Sequence, residues 1–143
     1  MAAHLDPEVK ATPYSREAEQ SVLGGLLIDP EAWEAVSEAL AVHDFYERRH
    51  QTIFAAAAEI CNAGSELDAV TLAEHLEARE LLTEVGGLTY LIELANATPS
   101  AGNILAYARI VRERSVLRSL LRAGREIADL AYRPEGREAR LLL

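Results

Sequence analysis

Histidine and carboxylate side chains come together at one place in the sequence, at His43, Asp44 and His50. A metal site needs three or more convergent ligands, and no further His or Cys follows at ligand spacing. His50 also falls on the apolar stripe of a predicted helix. We therefore interpret it as a histidine of the core or of a chain corner. A small helical enzyme that uses these three residues remains the alternative.

Two glycine pairs, Gly24-Gly25 and Gly86-Gly87, are the candidates for phosphate binding. A nucleotide-binding loop combines glycines with a Lys that is followed by Ser or Thr, and neither pair has one. Gly24-Gly25 lies inside an apolar run at helical spacing, and Gly86-Gly87 is interpreted as helix punctuation. Glu74 and Glu77 share a helix face, but nothing in the sequence separates their pKa values as acid–base catalysis requires. No catalytic residues are predicted in this chain.

The composition is typical of one globular domain. The chain has 143 residues, of which 50% are hydrophobic and 26% are charged, and this length can bury a core without disulfides. The single cysteine, Cys61, excludes an internal disulfide and favours a reducing, cytoplasmic compartment. The apolar stretch from Val22 to Ile28 is far shorter than the roughly 18 residues that span a bilayer. No membrane contact is expected.

Charge divides the chain into two parts. Residues 1–100 hold 18 acidic and 5 basic side chains, whereas residues 101–143 hold 5 acidic and 9 basic ones. The net charge of −9 argues against a protein that coats nucleic acid, because phosphate binding is driven by Lys and Arg. The last third of the chain is therefore expected to present a different surface.

Apolar residues recur at helical spacing along most of the chain, and no alternating strand pattern is present. Capping and breaking residues mark the ends of the predicted helices. In chain order these are Ser15, Asp29-Pro30, Gly64, Asp68 and Gly86-Gly87. The helix that starts at Asp29-Pro30 is predicted to run to about Ala41. The fold class is therefore predicted to be all-α.

Three parts are predicted along this all-α chain. Residues 1–13 form a disordered leader, residues 14–100 a compact helical head, and residues 101–143 a helical hairpin. The segment from Asn103 to Tyr132 has no proline and is predicted to be one helix about 45 Å long. A helix of this length is longer than the compact head requires, so it is expected to project from the head. Residues 137–143 are predicted to begin a second arm that is truncated.

The long helix carries the most specific pattern. Four arginines lie along one edge beside a line of apolar residues. The predicted interface residues are Ile110, Arg114, Leu117, Arg118, Leu121, Arg122, Arg125 and Ala128. Since a helix that extends beyond the head cannot bury its own apolar face, we predict a partner or oligomer interface here. A solvated rim and a nucleic-acid contact are the alternatives, and the acidic head disfavours the second.

Four segments, in this order, resemble the N-terminal domain of bacterial replicative DNA helicases of the DnaB type. The first is PYSREAEQSVLG, from Pro13 to Gly24, and the third is GGLTYL, from Gly86 to Leu91. The second consists of Asp44-Phe45-Tyr46 with His50, Ile53 and Phe54. The fourth consists of Pro99-Ser100, Asn103-Ile104, Tyr107, Ile110, Val111 and Arg118. The resemblance covers about residues 13–132.

This resemblance implies a helical head followed by a hairpin that pairs with the hairpin of another subunit, so that six domains form a collar. It implies a function in subunit association and in primase docking at the replication fork, and helicase loader proteins are possible partners. In the family, ATP, Mg and DNA are bound by a motor domain further along the chain. The residues here are therefore expected to hold no cofactor, although the parent protein is expected to be an ATP-dependent helicase.

Two further identities fit the same helical pattern. One is the helicase-binding domain of primase, which resembles the collar domain in fold. The other is a free-standing helical adaptor. The leader that follows Met1 favours a position at the start of a longer chain over the end position expected for the primase domain.

Overall fold

The computed structural model describes residues 11–98, 100–133 and 141, and the residues in these ranges form helices and no strands. The helices are α1 (Arg16–Ile28), α2 (Trp33–Ala39), α3 (Arg48–Asn62), α4 (Ala69–Ala78), α5 (Leu82–Val85), α6 (Gly87–Ala97) and α7 (Ile104–Tyr132). Two short 3-10 turns lie at Pro30–Ala32 and Val42–Asp44. The predicted all-α fold is confirmed. Within the described ranges, no helix is both long and apolar enough to cross a bilayer.

Two of the predicted helix caps form as expected. The Ser15 hydroxyl accepts a hydrogen bond from the backbone N–H of Ala18 at 3.1 Å and begins α1. At α4, the Asp68 carboxylate accepts from the Thr71 N–H at 2.8 Å, and the Thr71 hydroxyl accepts from the Asp68 N–H at 2.9 Å. These bonds satisfy N–H groups that the first turn of a helix leaves without partners.

The second and fifth helices differ from the prediction. The segment after Asp29 begins as a 3-10 turn, and α2 ends at Ala39, because Leu40 is extended and its side chain is buried in the core. The sequence pattern also missed α5, whose four residues are too few to show a helical period. Gly86 ends α5 in the left-handed region, with φ of 110°, where glycine is favoured.

Gly24 and Gly25 lie inside a helix, as the apolar run around them predicts. Both residues are buried in the middle of α1. A Cβ atom on Gly24 would overlap the carbonyl oxygen of Leu94 and the hydroxyl of Thr98. Helices α1 and α6 therefore approach each other so closely that only glycine fits at this position.

The described chain divides into two units. The head unit, Tyr14–Ser115, contains α1 to α6 and the first part of α7. Its core includes four residues of α7, namely Ile104, Ala108, Val111 and Ser115. We call the remainder of α7, residues 116–132, the arm. The predicted leader and second hairpin arm lie mainly outside the described residues, which include only residues 11–13 and Leu141 of those segments.

Candidate functional site

The arm exposes most of its large apolar side chains to solvent. The exposed aliphatic ones are Val116, Leu117, Leu120, Leu121 and Ile127. With 3.6 residues per turn, these positions, together with Gly124 and Ala128, fall within an arc of roughly 140°. We call this arc the arm face. Leu120 is 67% exposed and Ile127 is 64% exposed. A contiguous apolar face of this kind is typical of a protein interface.

Gly124 lies near the middle of the arm face. A Cβ atom at this position would meet no other atom within 4 Å, so no neighbour within the structure requires a glycine here. Glycine in the interior of a helix costs about 1 kcal/mol relative to alanine. A small residue on an apolar helix face would allow another helix to approach closely.

The predicted interface residues occupy different environments. Ile110 is partly buried and packs against the core of the head unit, and Arg114 is also partly buried. Arg118 is partly buried and donates a hydrogen bond to the carbonyl oxygen of Pro13 at 2.9 Å. The other predicted residues, Leu117, Leu121, Arg122, Arg125 and Ala128, are exposed. Val116, Leu120 and Ile127 were not among the predicted residues. The prediction followed one line of apolar residues along the helix, whereas the arm face is wider.

A buried carboxylate connects the start of α7 to the rest of the head unit. Asp44 is 1% exposed and accepts hydrogen bonds from the Ala41 N–H at 2.8 Å, the Ser115 hydroxyl at 2.7 Å and the Arg112 guanidinium at 2.9 Å. Burial acts to raise the pKa of Asp44, but these three hydrogen bonds and the charge of Arg112 outweigh it and lower the pKa below its ordinary value. The position of α7 on the head is thus fixed through a charged group.

A second buried network joins α1, α3 and α6. His50 is 0% exposed; its Nδ1 lies 2.8 Å from a Glu19 carboxylate oxygen, and its Nε2 lies 2.6 Å from the Tyr90 hydroxyl. Glu19 also accepts the backbone N–H of Tyr46 at 2.6 Å, and the Gln20 amide donates to the Tyr90 oxygen at 3.2 Å. Burial raises the pKa of Tyr90. The interpretation of His50 as a core histidine is confirmed.

The alternative of an enzyme built on His43, Asp44 and His50 gains no support from this arrangement. His43 is exposed, Asp44 is held by α7, and both ring nitrogens of His50 are engaged by Glu19 and Tyr90. Within the described residues, the group with metal-ligand spacing is instead Glu19, Glu47 and His50, with ligand atoms within 4.8 Å of one another.

The surroundings of Glu19, Glu47 and His50 fit a structural hydrogen-bond network better than a metal site. The Glu47 carboxylate is paired with Arg16 at 2.6 Å and with Arg49 at 3.1 Å. Burial acts to raise the pKa of Glu47, but the hydrogen bond from Arg16, the charge of His50 and the hydrogen bond from Arg49 together lower it. A divalent cation would have to displace two arginines and would be repelled by them. The polar atoms of the group are therefore already satisfied by protein groups.

Comparison with known proteins gives one consistent result. The family model described as "DnaB-like helicase N terminal domain" matches residues 11–113. The chain is 43% identical to the replicative DNA helicase DnaB of Haemophilus influenzae over 95% of its own length, and 48% identical to that of Geobacillus stearothermophilus over 86%. It spans 29% and 27% of these relatives, respectively.

Solved structures agree with the sequence relatives. The N-terminal domain of the DnaB helicase from Mycobacterium tuberculosis superposes with a TM-score of 0.86 at 38% identity, covering 90% of this chain and 91% of that one. A DnaB-like replicative helicase, described with its interactions with primase, matches with a TM-score of 0.72 at 26% identity, over 84% of this chain and 29% of that one. This chain belongs to the family of DnaB-like helicase N-terminal domains.

Proposed function

We propose that this chain is the N-terminal part of a replicative DNA helicase, and that its arm binds further copies of the same chain. The observation that carries the proposal is the arm face, whose large apolar side chains are exposed while those of the head are mainly buried. Burying such a face against a second helix releases about 25 cal/mol for each Å² of apolar surface. The collar that the family resemblance implies would bury this surface between subunits.

Primase is the second partner in the proposal. A structural relative is described with its interactions with primase, and its identity of 26% extends over most of this chain. The arginines beside the arm face, Arg122 and Arg125, are exposed and can form contacts that weaken as salt is added. A weak, salt-sensitive contact suits a primase that binds and dissociates repeatedly.

The remaining activities are proposed for parts of the helicase that this chain does not cover. ATP, Mg and DNA would be bound by the longer portion of the relatives, and a helicase loader would act on the assembled cytoplasmic helicase. The relatives reported above are themselves replicative helicases. This favours the helicase assignment over the primase-domain and free-standing adaptor alternatives.

Self-association can be tested with charged substitutions on the arm face. We expect Leu117→Asp and Leu121→Asp each to abolish self-association, measured by light scattering, because a carboxylate cannot be buried in an apolar interface without a large cost. Circular dichroism should show an unchanged helical head. The matched control is Val70→Asp on α4, where the side chain is 56% exposed, and it should leave the mass unchanged. An equal mass for all three variants and the parent chain would refute the arm interface.

Primase docking is tested separately by titration with the primase of the same organism. The double variant Arg122→Glu/Arg125→Glu should weaken binding and reduce its salt dependence. Arg109→Glu, an exposed arginine within the head unit, is the control with the same type of charge change. Unaltered primase affinity in the double variant would remove the arm from the docking surface.

A further inference from the structure

An open cleft of about 530 Å³ lies on the head unit. One wall is formed where α2 begins, with Glu31, Trp33 and Glu34, and the other by the loop from α3 to α4, with Glu66 and Asp68. Cys61 also lines the cleft, and burial raises the pKa of its thiol. The cysteine therefore adds no negative charge at neutral pH.

The charged side chains that line this cleft are all acidic. Within the described part of the chain, no Lys, Arg or His lines the cleft, and the carboxylates of Glu31, Glu34 and Glu66 form no ion pair. These three side chains are exposed. Two other carboxylates of the head unit, Glu47 and Asp44, are each paired with arginine. The cleft thus has a surplus of negative charge with no basic partner among the residues that the structure describes.

An aromatic ring lies among these carboxylates. The Trp33 indole N–H donates to the Asn62 side-chain oxygen at 3.1 Å, and its ring packs on Phe54 with the centroids 5.3 Å apart. These two contacts hold the ring in place, while the side chain remains partly exposed. A tryptophan face attracts cations, and arginine most often occupies such positions because its planar guanidinium also stacks on the ring.

We propose that this cleft binds a basic segment of a partner protein, with an arginine side chain against Trp33 and neighbouring basic side chains facing Glu31, Glu34 and Glu66. The aromatic ring and the unpaired carboxylates are two independent features, and both select a cation. The residues that line the cleft belong to the head unit, so the proposal does not rest on self-association through the arm face. An acidic nucleic acid would be repelled here.

Trp33 makes the proposal directly measurable, since it is the only tryptophan in the chain. We would titrate the full 143-residue chain with a hexa-arginine peptide and follow tryptophan emission. The expected result is a saturable change that hexa-glutamate does not produce. Binding should weaken about tenfold in the double variant Glu31→Arg/Glu34→Arg, because attraction is replaced by repulsion at two positions. Circular dichroism should confirm that the variant is folded.

A second acidic pair separates site binding from general attraction to an acidic protein. Glu74 and Glu93 are exposed and do not line the cleft, and Glu74→Arg/Glu93→Arg makes the same change in net charge. This control should alter the peptide affinity by less than about twofold. The proposal is overturned if emission does not change saturably with hexa-arginine, or if both double variants weaken binding equally.

Discussion

The head unit and the arm use the same kinds of residue in opposite ways. In the head, leucines such as Leu72, Leu76 and Leu91 are fully buried, and the buried charged groups Glu19 and Asp44 have hydrogen-bond partners. In the arm, Leu120 and Ile127 are exposed. The head is thus stabilised by its own contacts, whereas the exposed apolar residues of the arm would be stabilised by the partner that we propose. This contrast distinguishes residues that maintain the fold from residues that are proposed to associate.

The largest effect is expected at the buried network of the head. Glu19→Ala should lower the free energy of unfolding by about 3–5 kcal/mol, because it leaves His50 and the N–H of Tyr46 without a buried acceptor. Chemical denaturation measures this loss. Glu17, two positions earlier in α1, is exposed, and Glu17→Ala should cost less than about 0.5 kcal/mol. Similar losses in the two variants would contradict a structural role for the network.

The same substitution in the two regions should have different consequences. Leu91→Ala, at a side chain that is 0% exposed, should destabilise the head by about 3 kcal/mol through lost burial and a new cavity. Leu120→Ala in the arm should change the stability of the monomer by less than about 0.5 kcal/mol while weakening self-association. Thermal melts at several protein concentrations separate the two effects. If Leu120→Ala strongly destabilised the monomer, the proposed difference between the head and the arm would be contradicted.

Asp44 marks the place where the head holds the first part of α7. Asp44→Asn should cost about 2 kcal/mol at neutral pH, because the amide cannot replace the charge-assisted bonds. The pKa of Asp44 is lowered from its ordinary 3.8, so its ionised form contributes stability above that pH, and the contribution is lost as pH falls through the folded-state pKa. The free energy of unfolding should be measured for the parent chain and for Asp44→Asn from neutral pH down to about pH 3. The difference between the two values should shrink as the pH falls. A stability difference that stays constant with pH would contradict a stabilising role for the ionised Asp44 carboxylate.

The smallest effect is expected at Gly124. Gly124→Ala should stabilise the isolated arm helix by about 1 kcal/mol, since alanine is the better helix former and a Cβ atom meets nothing there. The same change should weaken self-association if a partner helix approaches this glycine closely. Helicity from circular dichroism and mass from light scattering should therefore move in opposite directions. Stronger association after the substitution would show that the glycine does not serve close packing.

Local signals explain which parts of the fold the sequence could predict. Ser15 and Asp68 cap helices through bonds to residues three positions away, so their roles are visible in a short stretch of sequence. Glu19 was visible only as an acidic residue in the first turn of a helix, because its partner His50 lies 31 positions away. The reason that only glycine fits at position 24 was not predictable either, since the carbonyl that excludes a side chain belongs to Leu94.

The candidate sites were likewise predictable only where they depend on a local sequence pattern. The line of Leu117 and Leu121 was predictable from helical periodicity, but the full width of the arm face depends on which side chains are exposed. The cleft at Trp33 was not predictable, because it joins the start of α2 to the loop after α3. Periodicity identifies one side of a helix. It does not identify which other segment of the chain packs beside that helix.

The central claim is that the arm face is an interface between copies of this chain. Sedimentation equilibrium of the unmodified chain, from low to high micromolar concentration, tests it most directly. The account predicts an average mass that rises with concentration above the 15.7 kDa of one chain. It also predicts that high salt preserves this rise, because apolar burial is not screened. A mass that stays at 15.7 kDa over the whole range would contradict the claim.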